Sequence, residues 1–180
     1  MEANQLTPER KEALRQYWQE KSLTELMDFI VTHYHARAKN LVSQIVEEID
    51  ALAKKIPCGI KDLSFALQQL RTMLTEDMEK HTQEEEEVLF PYIRSLESGA
   101  ASAGLLRSFG RIHDEHDQII DTLVRLKLES TLCRLPESAC DHCRPLHDCL
   151  AVLLADLQEH VFLEDEVLFL EALELEKHRR

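Results

Sequence analysis

The stretch HTQEEEEVLF at residues 81–90 returns as HVFLEDEVLF at residues 160–169. The two copies share a histidine, a glutamate four residues later, a second glutamate two residues after that, and the triplet Val-Leu-Phe. Residues i and i+4 of a helix lie on one face, about one turn apart, so His81 and Glu85 are predicted to approach the same point. A single copy could be a solvated, glutamate-rich face. A second copy, in register with the same apolar residues, favours a metal site.

Composition and charge narrow both the fold class and the function. The 180 residues suffice for one domain with a sizeable core, and only four glycines and five prolines favour an all-helical chain. The net charge of −13 argues against nucleic acid and against an anionic membrane surface as partners. No apolar run approaches the ~20 residues of a membrane span, and the N-terminal sequence is neither a signal peptide nor a transit peptide. We therefore expect a soluble, cytoplasmic protein, with its five cysteines as free thiols.

Helix signals divide the chain into a short leader and four long amphipathic helices. Thr7-Pro8 resembles an N-cap followed by proline at the first helical position, and Ser22 with Glu25 has the spacing of a capping box. The leader helix, the bundle and a frayed tail are predicted at residues 1–21, 22–176 and 177–180. Four long helices with short connections indicate an all-α, up-and-down four-helix bundle.

Each predicted bundle helix carries one histidine within its apolar stripe, and these are His35, His81, His116 and His160. On the second helix, for example, the stripe is predicted to continue through Glu85 to Val88. The midpoints between consecutive histidines fall at residue 58, between residues 98 and 99, and at residue 138, close to the predicted helix breakers. A chain that reverses at these points brings all four histidines to one level of the bundle.

Four imidazoles and two carboxylates are costly to bury unless they coordinate something. The candidate ligands are His35, His81, Glu85, His116, His160 and Glu164. Two histidines per metal, with both glutamates bridging, would give each of two metals four protein ligands. An oxide or hydroxide bridge would add a fifth and leave one position open. Such ligands favour non-haem iron over manganese or zinc, and an open position suits O₂, NO or peroxide.

From Ser22 onward the chain resembles the hemerythrin-like domain of the repair-of-iron-centres proteins, a di-iron family linked to nitrosative and oxidative stress. The resemblance is carried by Tyr34-His35, His81-x-x-x-Glu85 followed by Glu-Val-Leu-Phe-Pro91, Glu115-His116-Asp117, and His160-x-x-Leu-Glu164 followed by Val-Leu-Phe. It implies two non-haem irons with an oxo or hydroxo bridge, on the six ligands already named, with Glu115 as an acid behind them.

The resemblance also implies a function: protection or repair of damaged iron-sulphur or iron centres through NO chemistry or iron delivery. The midpoints place Cys58 and the Cys133–Cys149 group at the loop end of the bundle, roughly 30 Å along the helix from the metals. We therefore expect any repair activity to need an external thiol or protein reductant. Family members commonly begin with a small domain carrying a Cys-Cys pair, whereas this chain has a short leader without cysteine. That departure favours an alternative, a hemerythrin-like carrier or sensor of O₂ or NO without turnover. A metal-free scaffold is the third possibility.

Other candidate residues carry weaker signals. Cys140-x-x-Cys143 has part of a zinc-binding spacing without a second cluster, so we interpret both as free thiols. His113 precedes His116 by one turn and is a candidate for a contact behind the ligands. Glu84 and Glu86 are interpreted as members of a solvated charge run, without a function of their own.

Overall fold

The leader folds as a short helix whose predicted start is confirmed. The structure, a computed structural model, describes residues 6–54, 61–99, 105–128 and 140–178, and these form helices and no strand. Helix α1 spans Pro8–Trp18, and the Thr7 hydroxyl accepts from the amide of Arg10 at 3.2 Å. The leader docks on the bundle through the buried side chains of Leu14 and Trp18.

Four longer helices form the bundle, and three of them contain π-helical segments. Helix α2 comprises Leu23–Phe29, the π-helical Ile30–His35 and Ala36–Ala53. Helix α3 comprises Lys61–Thr72, the π-helical Met73–Asp77, Met78–Glu84, the π-helical Glu85–Leu89 and Phe90–Glu97. Helix α4 is Leu105–Leu128. Helix α5 comprises Cys140–Leu163, the π-helical Glu164–Leu168 and Phe169–His178.

Consecutive helices run in opposite directions. The start of α2 packs against the end of α3, and the end of α2 packs against the start of α3. Helix α5 packs against both α2 and α4, and α4 packs against α3, which closes the ring of four. The all-α up-and-down bundle is therefore confirmed. Helix α3 ends beside Gly99, whose φ of 108° is a left-handed conformation that glycine adopts without strain. The other predicted reversals, at residues 58 and 138, lie outside the described residues.

Two apolar clusters fill the bundle, one toward each end. The first joins α1 to the start of α2 and the ends of α3 and α5, around residues such as Met27, Ile30 and Phe90. The second joins the other ends of the same helices around residues such as Ile45 and Leu153. Neither cluster contains the predicted ligands, which are the main buried polar residues between them. The polar layer thus lies where both cores can exclude water from it.

One stripe position was predicted wrongly. Val88 is 63% exposed, whereas its neighbour Leu89 is 5% exposed and belongs to the core. The π-helical turn Glu85–Leu89 has more residues per turn than an α-helix. It therefore moves the next inward position from three residues after Glu85 to four. Regular α-helical periodicity cannot anticipate that insertion.

The remaining predictions concern the start of α2, the C-terminal tail and the absence of a membrane span. The capping box of Ser22 and Glu25 is present at the start of α2. Lys177 and His178 belong to α5, and residues 179–180 lie outside the described part of the chain. The division into leader, bundle and frayed tail stays a prediction. None of the described helices has the length and apolar character needed to cross a membrane.

Candidate metal centre

The six predicted ligand side chains meet in the layer between the two apolar clusters. Helix α2 contributes one histidine, α4 contributes another, and α3 and α5 each contribute a histidine and a glutamate. All are at most 6% exposed, and both glutamates are fully buried. These residues are His35, His81, Glu85, His116, His160 and Glu164.

His35 and His160 form one side of the layer. Their Nε2 atoms face each other at 3.0 Å. The Nε2 atom of His160 lies 2.9 Å from Oε1 of Glu164, and that of His35 lies 3.7 Å from the same oxygen. Together with Glu85, these donors lie close enough to one another to surround a single ion.

His81 and His116 form the opposite side. Their ring centroids are 4.7 Å apart, and their Nε2 atoms lie 3.3 and 3.5 Å from Oε1 of Glu85. Oε2 of Glu164 lies 3.2 Å from Nε2 of His116. Each side therefore combines one histidine from the first half of the chain with one from the second.

Both glutamates divide their oxygens between the two sides. Glu85 directs Oε1 toward His81 and His116, and its Oε2 lies 3.6 Å from His35. Glu164 directs Oε1 toward His35 and His160, and Oε2 toward His116. This is the orientation that carboxylates bridging two ions would take.

The inward-facing atoms fit a pair of cations. Four carboxylate oxygens of Glu85 and Glu164, and the Nε2 atoms of His81 and His116, are buried without a hydrogen-bond partner among the described residues. Leaving so many polar atoms unpaired is costly. A neutral His35 that donates from Nδ1 also carries a lone pair on Nε2, directed at His160. Nitrogen and carboxylate donors are the set expected for non-haem iron.

The electrostatics of the layer are strongly coupled. Burial alone would lower the pKa of His35, but Glu164 and Glu85 raise it to about 9. Burial opposes the same effect at His116, whose pKa is raised to about 12 by Asp165, Glu164 and Glu85. Burial would raise the pKa of Glu164, yet the surrounding histidines hold it well below its usual range. Without metal, the layer thus favours imidazolium cations paired with carboxylates.

Comparison with known proteins identifies this arrangement. Residues 26–172 match the hemerythrin HHE cation binding domain. The chain belongs to this family. A hemerythrin domain of this kind binds cations, and its matched region includes all six buried histidine and glutamate side chains.

The chain is also similar to iron-sulfur cluster repair proteins. It is 30% identical to the iron-sulfur cluster repair protein YtfE of Yersinia pestis (strain Pestoides F) over 159 residues, which cover 87% of this chain and 68% of that protein. It is 28% identical to the protein of the same name from Escherichia coli O157:H7, over 87% of this chain and 69% of that protein. The resemblance inferred from the motifs is thereby confirmed.

A second ring of carboxylates contacts the outward-facing Nδ1 atoms of the hemerythrin domain. Glu115, predicted from the resemblance, lies 2.9 Å from Nδ1 of His81. Glu86 lies 2.7 Å from Nδ1 of His35, and Asp165 lies 3.1 Å from Nδ1 of His116. Such contacts fix the tautomer of a ligating imidazole and orient its ring.

The sequence did not lead us to predict that Glu86 and Asp165 contact the histidines. Glu86 is exposed, as expected for a member of a solvated charge run, but it also contacts His35 behind the centre. The signal was present: an acid occupies the fifth position after the histidine in both copies of the repeat. The copies differ there as Glu and Asp, so a comparison restricted to identical residues does not find it. Glu84 also has a partner, since it pairs with Arg111.

His113 shares the contact of its neighbour. Its Nδ1 lies 2.8 Å from the second oxygen of Asp165, so His113 reaches the predicted ligands only through Asp165. Asp165 therefore links an exposed histidine to the buried His116.

His160 is surrounded differently from the other three. No described carboxylate forms a hydrogen bond with its Nδ1 atom. Instead, the ring of Tyr34 stacks on it with 5.4 Å between centroids and 2° between planes. Tyr34 is buried, and burial together with the neighbouring Glu159 raises its pKa well above the usual range for tyrosine.

Three of the π-helical turns, one each in α2, α3 and α5, coincide with positions of the predicted ligands. One ends at His35, one begins at Glu85 and one begins at Glu164. Such turns are frequent at functional sites, because they change the direction in which a helix presents its side chains. Here they allow each glutamate and the apolar residue four positions later to face the bundle interior.

A cavity of about 240 Å³ lies beside the centre, between α3 and α4. His81 and Glu115 line its inner wall, and Lys80 and Gln118 are among the polar residues around it. The cavity approaches the His81 side of the layer. The side chains of Cys140 and Cys143 lie outside the described residues, although α5 begins at Cys140.

Proposed function

We propose that this hemerythrin-domain protein holds two non-haem iron ions, joined by an oxo or hydroxo bridge, and acts in defence against nitrosative and oxidative stress. In that role it protects or repairs damaged iron-sulphur or iron centres, through NO chemistry or delivery of iron. The main support for this proposal is the set of buried nitrogen and oxygen atoms that could bind a metal and have no hydrogen-bond partner among the described residues. They occur in a chain similar to iron-sulfur cluster repair proteins.

The six buried side chains would be the ligands. His35 and His160 would hold one ion, His81 and His116 the other, and Glu85 with Glu164 would span both. Iron in this position would supply redox chemistry toward O₂, NO or peroxide. The nitrogen and oxygen donors support iron over softer metals, and family membership supports a cation site.

The surrounding residues would control the ligands and access to them. Glu86, Glu115 and Asp165 would keep three imidazoles in the tautomer that directs Nε2 inward. The two apolar clusters would exclude bulk water, which strengthens the electrostatic interactions inside. The cavity beside His81 and Glu115 offers a small molecule a way toward the layer.

The partners follow from this chemistry. O₂ or NO would be the small ligand, and damaged iron-sulphur proteins and an external reductant would be the larger partners. The one cysteine whose side chain is described, Cys149, precedes His160 by eleven residues, or about 16 Å along a helix. That is nearer than the roughly 30 Å expected from its place near the loop, yet still too far for direct contact with iron. Cys149 therefore does not contact the ions, and an external thiol or protein donor would supply the electrons.

The proposal is tested by metal analysis and a repair assay on the same preparation. Protein expressed with ample iron should hold about two irons per chain and show the near-ultraviolet absorption of an oxo-bridged ferric pair. With a reductant and iron, it should restore an iron-sulphur enzyme that NO has damaged. Protein that holds one metal, none or only zinc would contradict the di-iron assignment.

A carrier or sensor of O₂ or NO is the second candidate function. It is favoured by the complete burial of the ligands and by the distance of Cys149 from them, since neither feature promotes iron release. Two irons that bind NO reversibly, without repair in the presence of any reductant, would support this candidate over the first.

A further inference from the structure

A continuous series of aromatic rings connects the candidate metal centre to the surface. Tyr34 stacks on His160, and its centroid lies 5.6 Å from that of Phe29. Phe29 lies 5.0 Å from the ring of Trp18, which in turn lies 5.1 Å from the ring of Tyr17. Tyr34 and Trp18 are buried, whereas Tyr17 is 61% exposed. Each ring in the series contacts the next, so the series runs without interruption from the interior to solvent.

The composition of the series is unusual for this chain. It contains the only tryptophan and two of the three tyrosines. On the opposite side, His81 and His116 contact each other, and no other described aromatic ring contacts either of them. Tryptophan and tyrosine are the side chains most readily oxidised by one electron after the sulfur-containing ones. Their placement on one side of the layer thus distinguishes His160 chemically as well as structurally.

We propose that Tyr34, Phe29, Trp18 and Tyr17 form a path along which oxidising equivalents leave the metal centre when it meets hydrogen peroxide. The inference rests on the proposed function, because it requires iron in the layer. It adds a protective activity, in which the damage is moved from the ligands to a surface position where small reductants can repair it.

The electrons and protons of this step balance. Hydrogen peroxide takes up two electrons, and two protons from water, to become two waters. Iron held in the layer would supply one electron, and the external reductant of the proposed function would return it. Tyr34 supplies the other electron and gives its phenolic proton to Glu159; when Trp18 reduces Tyr34 across Phe29, that proton returns. Tyr17 then reduces Trp18 and releases its phenolic proton to solvent, and ascorbate restores Tyr17 by donating one electron and one proton.

Glu159 suits the part of proton acceptor. Its side chain is 20% exposed and pairs with Arg10 on α1, so a proton that it receives can pass to solvent.

Lys21 provides an opposing influence that sharpens the test. Its Nζ atom lies 4.8 Å from the ring centroid of Tyr17 and 5.9 Å from that of Trp18. A cation over a ring stabilises the neutral ring and disfavours positive charge on it. Lys21→Gln should therefore make Trp18 easier to oxidise, without any contact with the ligands.

The test measures oxidation of Trp18 itself. Iron-loaded and metal-free protein are treated with equimolar hydrogen peroxide, the aromatic radical is followed by freeze-quench electron paramagnetic resonance, and oxidised Trp18 is quantified by peptide mass spectrometry. Iron content is measured on each sample. We expect Trp18 oxidation only with iron, a several-fold decrease in Tyr34→Phe and Phe29→Leu, and an increase in Lys21→Gln.

Tyr92→Phe is the matched control, because Tyr92 bonds Glu176 and none of the ring pairs among the described residues that build the path includes it. It should leave Trp18 oxidation unchanged. Met78, which lines a small cavity beside the histidines, reports oxidants that diffuse from the centre. Equal Trp18 oxidation in the wild type, Tyr34→Phe and Phe29→Leu would overturn the path while leaving the proposed function intact. Failure to bind iron would overturn both.

Discussion

The two copies of the repeat have the same backbone conformation and the same inward-facing residues. They differ in the residues that contact the outward side of their own histidines. In both copies the histidine lies in an α-helix and the glutamate begins a π-helical turn. In both, the acid at the fifth position bonds the lone histidine of another helix: Glu86 bonds His35, and Asp165 bonds His116. This part of the site follows an approximate two-fold repeat.

The two copies differ in the residues that contact the outward side of the repeat histidines, His81 and His160. The residue before His116 is Glu115, which bonds His81, and the residue before His35 is Tyr34, which stacks on His160. Equivalent positions thus carry a carboxylate on one side and an aromatic ring on the other. The comparison shows that ligand geometry is duplicated, whereas the environment of the two proposed irons is not. One side is polar and next to a cavity, and the other is aromatic.

The largest effect is expected from the shared inward face. Replacing Glu85 or Glu164 with alanine removes a group that would contact both ions, so each variant should lose most of its iron. Glu87→Ala is the control, because Glu87 is exposed and bonds only Gln83 among the described residues. Iron content and near-ultraviolet absorption are the measurements. A variant at Glu85 that retains as much iron as the Glu87 variant would show that the carboxylate is not a ligand.

A smaller effect is expected from the carboxylates behind the histidines. Loss of such a contact costs about 10–100-fold in metal affinity, so Glu86→Ala, Glu115→Ala and Asp165→Ala should all weaken binding by that amount. Tyr34→Phe keeps the stacked ring and should leave affinity unchanged. Competition with a chelator measures the difference. Equal weakening in Tyr34→Phe and Glu115→Ala would mean that the two sides are held alike, contrary to the comparison.

The inward face could be predicted from the sequence because it depends on local spacing. His and Glu at i and i+4 fix a helical face, and the histidine midpoints fix the level at which the faces meet. The environment behind it was predictable only in part. The acid at the fifth position recurs in both copies, but spacing does not show which histidine it contacts, because Glu86 and Asp165 bond histidines that are 51 and 49 residues away in sequence. The π-helical turns were also invisible, since Val88 continues the α-helical pattern in sequence and leaves it in the structure.

The lone histidines of the two halves should both make the metal-free protein less stable as pH rises, with His116 acting over a wider pH range than His35. Their pKa values, about 9 for His35 and about 12 for His116, exceed the ~6.5 of an unfolded histidine. A raised pKa contributes stability that is complete below the unfolded value and is lost as pH rises through the folded value. The metal-free protein should therefore lose on the order of 3 kcal/mol of stability between about pH 6.5 and 9 through His35. His116 keeps its proton in the folded state over that range while the unfolded chain loses it, so it should add a similar loss there and continue to reduce stability up to about pH 12.

Iron should reverse this dependence. Ligating histidines are neutral, so protons compete with metal, and acid below about pH 6.5 should release it. The stabilisation that iron provides should consequently grow from pH 5 to pH 9. Denaturant unfolding of the metal-free and iron-loaded forms at several pH values measures both trends. A constant difference between the two forms would show that the histidines do not exchange protons for metal.

The smallest effect is expected at a position where the two copies differ in sequence but share the same backbone conformation. The second residue after each π-helical turn is Pro91 in α3 and Leu170 in α5, and both side chains are exposed. A proline inside a helix costs about 3 kcal/mol or more, because it removes a hydrogen bond and crowds the preceding turn. The π-helical turn before Pro91 accommodates the ring, and α5 has the same turn before Leu170.

Leu170→Pro should therefore lower the free energy of unfolding by less than ~1 kcal/mol and leave iron content unchanged. Val152→Pro, in the regular part of α5, should lower it by the full ~3 kcal/mol. Denaturant unfolding compares the two variants directly, and equal destabilisation would mean that the copies share their ligands without sharing the backbone that presents them.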